Sequence, residues 1–153
     1  MESKPASECL RIGRYSERQH IYLVTAVTHL REPVFSSFAY SRLLIRQLHG
    51  LETSGHVQSL AYVLMPDHLH WLLQLYPGYR LEAVLRLLKG RSAVEINRQR
   101  GRRGALWQDG YHDHAVRRDE DLTAIARYIV MNPVRAGLVK SVRDYPHWDA
   151  VWL

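Results

Sequence analysis

Cysteine is nearly absent from this chain. Cys9 is the single one in 153 residues, which excludes an internal disulfide and a cysteine zinc cluster. Long apolar runs are absent as well, and nothing approaches the roughly 18 uninterrupted residues of a membrane-spanning helix. The start, Met1 to Ser7, is polar and lacks the apolar stretch of a secretory signal. No repeat, low-complexity tract or linker asks for a second domain. Acidic residues are the minority charge, 15 against 21 Lys and Arg, with a net charge of +6 and a pI near 9.7. What remains is 46% hydrophobic and 24% charged. That balance predicts one soluble, cytoplasmic domain with a sizeable core and no membrane partner. A basic surplus is compatible with a nucleic-acid partner.

The basic charge is unevenly placed. Between Arg80 and Arg103 stand eight cations against two acids, Glu82 and Glu95. From this group Lys89, Arg91, Arg98, Arg102 and Arg103 are candidate phosphate contacts. Arg11, Arg14 and Arg18 form a second cluster near the start.

Residues 1–19 read as a polar arm. Ile21 to Thr28 is rich in β-branched and aromatic residues and predicts a first strand. Ser36 or Ser37 is positioned to cap a helix reaching about His49. Val57 to Leu64 predicts a second strand, Pro66 interrupts it, and Leu69 to Leu75 returns as its hairpin partner. Leu81, Val84, Leu85 and Leu88 carry the spacing of an amphipathic helix, weakened at Gly90 and resuming to about Asn97. A fourth strand is expected near Asp113 to Arg117. Asp119, Glu120 and Asp121 favour a helix start, and Pro133 ends that helix near Asn132. Residues 141–153 form an aromatic tail. The order β-α-β-β-α-β-α predicts an α/β sandwich, ferredoxin-like or RRM-like, in which helices pack on a central antiparallel sheet. One sheet face is expected under helices and the other free to carry histidines.

The chemistry concentrates in Met65-Pro66-Asp67-His68-Leu69-His70-Trp71. On a strand, alternate side chains share a face, so His68 and His70 point one way and Leu69 and Trp71 the other. Two imidazoles on a rigid strand can hold a divalent metal, although a plain pair of strand histidines has the same pattern. Farther on, Tyr128 and Asn132 are four apart and share the flank of a helical apolar stripe. A boundary tyrosine that only anchors its helix also fits. A phenol is a weak nucleophile at neutral pH, and a metal polarising a phosphate can compensate. In that reading His68 and His70 hold Mg²⁺ or Mn²⁺, Asn132 adds a third ligand, and Tyr128 attacks phosphorus.

Three stretches carry a resemblance: Tyr62-Val-Leu-Met-Pro-Asp-His-Leu-His70, Leu106-Trp-Gln-Asp-Gly-Tyr-His-Asp-His114, and Arg127-Tyr-Ile-Val-Met-Asn-Pro-Val-Arg-Ala-Gly-Leu138. From about Ile21 to Val139 the chain resembles the HUH single-tyrosine (IS200-like) transposases, and most of all their REP-associated branch. The resemblance implies a histidine pair at His68 and His70, a catalytic tyrosine at Tyr128, and a metal-completing residue at Asn132. It also implies cleavage and rejoining of single-stranded hairpin DNA, a bacterial, nucleoid-associated setting, and a monomer or homodimer. Arg11, Arg14 and Arg18 would then serve a DNA-reading arm.

His112 and His114 form a second His-x-His pair, for which a structural or DNA-contact role is expected. Trp107 is either a base-stacking or a core residue. Two other functions use the same residues: a DNA-hairpin binder with a vestigial site, and a metal phosphodiesterase in which water attacks.

Overall fold

The structure, a computed structural model, describes residues 20–152. Arg11, Arg14 and Arg18 lie outside the described residues. The chain opens with β1 (Ile21–Val27) and α1 (Phe38–Thr53). The Ser37 side chain caps α1 by accepting from the Tyr40 N–H at 3.3 Å. β2 (Val57–Met65) and β3 (His68–Leu75) form the hairpin around Pro66 and Asp67, and α2 (Leu81–Arg100) follows. β4 (His112–Ala115), α3 (Leu122–Val130), α4 (Asn132–Arg135) and β5 (Trp148–Ala150) complete it. Among the described residues no helix is long and apolar enough to cross a membrane.

The sheet runs β4-β1-β3-β2-β5, with every neighbouring pair antiparallel. The first four strands with α1 and α2 make the expected ferredoxin-like βαββαβ unit. On one face Val24, Leu64, Leu69, Trp71 and Leu73 pack with Leu44, Leu48, Val84 and Leu88. Trp71 is fully buried there, and its indole N–H donates to Ser59 Oγ at 3.0 Å.

The opposite face is not free, contrary to the sequence expectation. Val63, Met65 and Leu72 pack there with Leu122, Ala126, Ile129 and Val130 of α3. Leu72, two residues beyond His70 on the same side of β3, is apolar, and α3 covers it. This layer is what brings the tyrosine helix to the histidine face.

Three boundaries also differ. α2 continues through Gly90, because Val84, Leu85, Leu88, Ser92 and Ile96 stay buried on both sides of that exposed position. A glycine costs about 1 kcal/mol there, less than such a stripe returns. The helix ends at Gly101, whose φ of 64° is the left-handed cap that glycine adopts without strain. The aromatic tail supplies β5: Tyr62 and Val63 pair with Asp149 and Trp148.

Candidate functional site

β3 leaves the Pro66-Asp67 turn with His68 and His70 on the α3 side of the sheet. Their ring centroids are 4.8 Å apart at 77°. His68 Nδ1 lies 2.7 Å from Asp67 Oδ1. His70 Nδ1 lies 2.8 Å from Oγ1 of Thr25, its direct partner on β1. The Asp67 carboxylate can only accept, so His68 donates its Nδ1–H and presents Nε2; the Thr25 hydroxyl can accept or donate, and in the Nδ1–H tautomer His70 presents Nε2 as well. This is the arrangement of outer partners that orients metal-binding histidines.

Asp67 is itself held. Its other oxygen accepts from Arg31 Nη1 at 3.0 Å. Burial by itself raises a carboxyl, but the hydrogen bonds from His68 and Arg31 outweigh it and keep Asp67 below the usual carboxylate range. Arg31 is delivered by a tight turn in which Leu30 and Arg31 have φ of 54° and 52°. Each costs about 1 kcal/mol of backbone strain. Buried Thr28 anchors the turn: its N–H donates to the Asp67 carbonyl at 2.9 Å.

Burial is the main influence on His70, followed by the charges of His68 and Arg135, and together they push its imidazole down to about 4. At neutral pH His70 is therefore uncharged and able to bind a cation.

The influence of Arg135 on His70 ties the helices to the strand. Arg135 also stands over the Tyr128 ring, its Cζ 3.9 Å from the centroid. Its Nη2 donates to the Tyr128 carbonyl at 2.6 Å. Tyr128 is 66% exposed, so its phenol is reachable while the guanidinium holds the ring. Asn132 is not on the tyrosine's helix. α3 stops at Val130, and Asn132 heads a separate turn that begins with Pro133 at its first positions. Proline has no N–H to continue α3. The Asn132 amide donates to the Ile129 carbonyl at 2.9 Å, which leaves its Oδ1 as an oxygen donor.

The model of the family described as "Transposase IS200 like" matches residues 16–132. The chain belongs to the IS200-like transposase family.

Two curated members named REP-associated tyrosine transposase are each 31% identical to it, from Haemophilus influenzae and Escherichia coli. The matches cover 59% and 56% of this chain and 57% and 50% of those proteins, so the chain spans about half the length of these relatives. Two solved structures share the fold at 24% identity. One is a REP-associated tyrosine transposase bound to a REP hairpin, with TM-score 0.70, covering 84% of this chain and 75% of that one. The other is a transposase from Deinococcus radiodurans, with TM-score 0.55, covering 71% and 87%.

Within this IS200-like fold the other candidates are scattered. His112 lies across Thr25 from His70, on the same sheet face and two strands away, and His114 lies across Leu23. His114 Nε2 is 2.9 Å from a Glu120 carboxylate oxygen. Arg91 and Arg98 are exposed on α2, the layer behind the sheet. The Lys89 ammonium donates to the carbonyls of Gln108 and Gly110 at 2.7 and 2.6 Å. Arg102 pairs with Glu32, as does the largely buried Arg100, and Arg103 is exposed in the loop after α2. Trp107 is a core residue: it is buried, and its N–H donates to Ser92 Oγ at 3.0 Å.

The chemistry of the donor set suits a divalent cation: two imidazole nitrogens on one strand, with the Asn132 amide oxygen as the candidate third ligand. Among the described residues no group of three His, Cys, Asp or Glu surrounds such a place. The remaining ligands would have to be water and substrate oxygens.

Sequence reasoning missed Thr25, Arg31 and Arg135 and passed over Asp67. Thr25 is 45 residues from His70, and only strand register joins them. Asp67 adjoins His68 and offered the one local signal.

Proposed function

We propose that this chain is a tyrosine-nucleophile DNA strand transferase that cuts and rejoins single-stranded hairpin DNA. The observation that carries the reading is the pairing of two Nε2-presenting histidines with a helix whose exposed Tyr128 is gripped by Arg135. His68, His70 and the Asn132 amide oxygen would hold Mg²⁺ or Mn²⁺, with two nitrogen donors favouring Mn²⁺. Such a cation supplies charge neutralisation at the phosphate when bound.

The Tyr128 oxygen attacks phosphorus and the bond to O3′ breaks. The phenol gives up a proton and the departing 3′ oxygen takes one up. The products are a 5′-phosphotyrosine and a free 3′-hydroxyl. Rejoining is the reverse attack by a 3′-hydroxyl, so one phosphodiester is exchanged for another and no outside energy source is needed. Arg135 fixes the ring and places a positive charge beside the phosphate's path. The net charge of +6 suits a DNA partner. A hairpin is the probe because a transposase of the same fold is bound to one.

The test is incubation of the protein with labelled single-stranded hairpin DNA, in Mn²⁺ or EDTA, followed by a denaturing gel. A shifted band that requires Mn²⁺ and vanishes in Tyr128→Phe is the expected result. Cleavage by Tyr128→Phe without an adduct would point to water as nucleophile. Binding without cleavage would point to a vestigial site.

A further inference from the structure

A cleft of about 500 Å³ opens where the end of α1, the start of β2 and β5 meet. It lies away from the histidine pair. Gln58 pairs with Gln74, at the end of the β2–β3 hairpin remote from His68, and β5 is the sheet edge opposite β4. Tyr62 belongs to the core on the α1 side of the sheet, whereas the histidines face α3.

The charge of this cleft is the reverse of the chain's. Glu52 and Asp149 line it and no Lys or Arg does, in a protein of net charge +6. One oxygen of each carboxylate accepts a backbone N–H, from Ser59 at 2.9 Å and from Ala150 at 2.8 Å. Each carboxylate therefore has a second oxygen to offer. Tyr62, Tyr76 and His49 supply aromatic walls, with the His49 ring 6.5 Å from that of Tyr62 and inclined at 69°. Burial, then the charge of Asp149, push the Tyr62 hydroxyl up to about 12, so it stays uncharged. Gln58 lines the same cleft and is 7% exposed. Its Oε1 accepts from the Tyr76 hydroxyl at 3.0 Å, while its Nε2 is buried with no hydrogen-bond partner. Folded proteins rarely leave such a donor unpaired.

We propose that this cleft binds a guanidinium ion carried beside a carbonyl or carboxylate oxygen, with the cation on Glu52 and Asp149 and the oxygen on the Gln58 amide N–H. Two carboxylates repel the phosphates of DNA. Among the described residues His49, Glu52 and Asp149 do not form a group that could hold a metal ion, so the cation is organic. Aromatic walls favour a planar guanidinium, which stacks on rings and pairs with carboxylates through parallel N–H bonds. The volume is in the range of clefts for small organic ligands, about 300–1,000 Å³. An arginine, free or within a peptide, has this chemistry. The inference does not depend on the strand-transfer reading.

The experiment is isothermal titration calorimetry of the full chain with L-arginine, with Nα-acetyl-L-arginine amide, and with L-citrulline, whose neutral urea replaces the guanidinium. At least one of the two arginine probes should saturate with a Kd of about 1 mM or below. The preference between them tells a free amino acid from a protein side chain. Citrulline should bind at least about tenfold more weakly. Glu52→Gln/Asp149→Asn keeps an oxygen for each backbone N–H and removes both charges, and should weaken the arginine probe about tenfold or more. Gln58→Leu should weaken it about three- to tenfold. The same variant should leave agmatine, which has the guanidinium but no carboxyl group, unaffected. Failure of both arginine probes to saturate at about 20 mM would overturn the proposal. So would citrulline binding as well as arginine, a comparison made on the wild type and independent of how any variant folds. Undiminished binding in the double variant would also overturn it, and equal loss of agmatine in Gln58→Leu would overturn the role given to the Gln58 amide.

Discussion

The two His-x-His pairs have the same spacing and lie on the same sheet face, yet their surroundings differ. His68 and His70 sit on β3, between β1 and β2. Each Nδ1 meets an oxygen of the protein, and each Nε2 is left for a ligand. His112 and His114 sit on β4, an edge strand whose four residues are all exposed. There it is the Nε2 of His114 that meets a carboxylate, on Glu120. The spacing places two rings side by side. The neighbours decide which nitrogen is offered, and burial keeps the His70 ring neutral.

The strongest break in this comparison is removal of each pair in turn. His68→Ala or His70→Ala should lower Mn²⁺-dependent adduct formation by about 10³-fold or more, the scale of losing a metal's charge at a phosphate. Gel quantification under single-turnover conditions measures it. A loss of that size from His112→Ala would reverse the ranking of the two pairs.

The next effect sharpens the role of the outer partners. Thr25→Val keeps the side-chain shape and removes the oxygen facing His70 Nδ1. Asp67→Asn removes the charge that faces His68 and Arg31. Each should weaken Mn²⁺ affinity by about 10- to 100-fold, read as the Mn²⁺ concentration giving half-maximal adduct. Unchanged Mn²⁺ dependence in both variants would mean that the orientation of the rings is set elsewhere.

These outer residues mark where sequence reading stopped. The shared face of His68 and His70 follows from a two-residue period and was legible, as was the βαββαβ order. Thr25 was not legible, because nothing in Ile21-Tyr-Leu-Val-Thr-Ala-Val27 announces its register with β3. Arg135 was hidden differently. A break at Met131, followed by Pro133 in a new turn, folds Arg135 back over Tyr128, seven residues earlier. Helical periodicity read through this break would set Asn132 and Tyr128 on one surface. Lys89 looked like a phosphate contact because charge is visible in sequence, whereas the two carbonyls that receive it are not. The covered histidine face needed α3's destination, which amphipathic spacing alone does not give.

A pH effect separates the pairs more gently. The His70 imidazole is pushed down to about 4, mainly by burial, against about 6.5 when unfolded. Between these values the unfolded chain binds a proton that the folded chain does not. The contribution is therefore fully present above pH 6.5 and is lost as pH falls toward 4, by about 2 kcal/mol at pH 5. Denaturant melts of the metal-free protein at pH 7 and pH 5 should show this loss, and His70→Gln should shed that part of it. An equal pH response in His70→Gln would place the acid sensitivity on another group.

The smallest expected effect belongs to the edge pair. His114→Ala gives up a contact between an exposed ring and Glu120, whose carboxyl is kept low first by the Arg117 backbone N–H and only then by His114. Glu120 therefore keeps its stronger partner when the ring is gone. Exposed substitutions of this kind usually stay within about 0.5 kcal/mol, or about a factor of two. Adduct yield at saturating hairpin should change by no more than that in His114→Ala or His112→Ala. Hairpin affinity is the sensitive readout, because both rings lie on the sheet face that carries His68 and His70, where the proposed substrate would pass. If affinity falls with yield unchanged, β4 is a DNA-facing edge. If neither moves, the second His-x-His has only the spacing of the first.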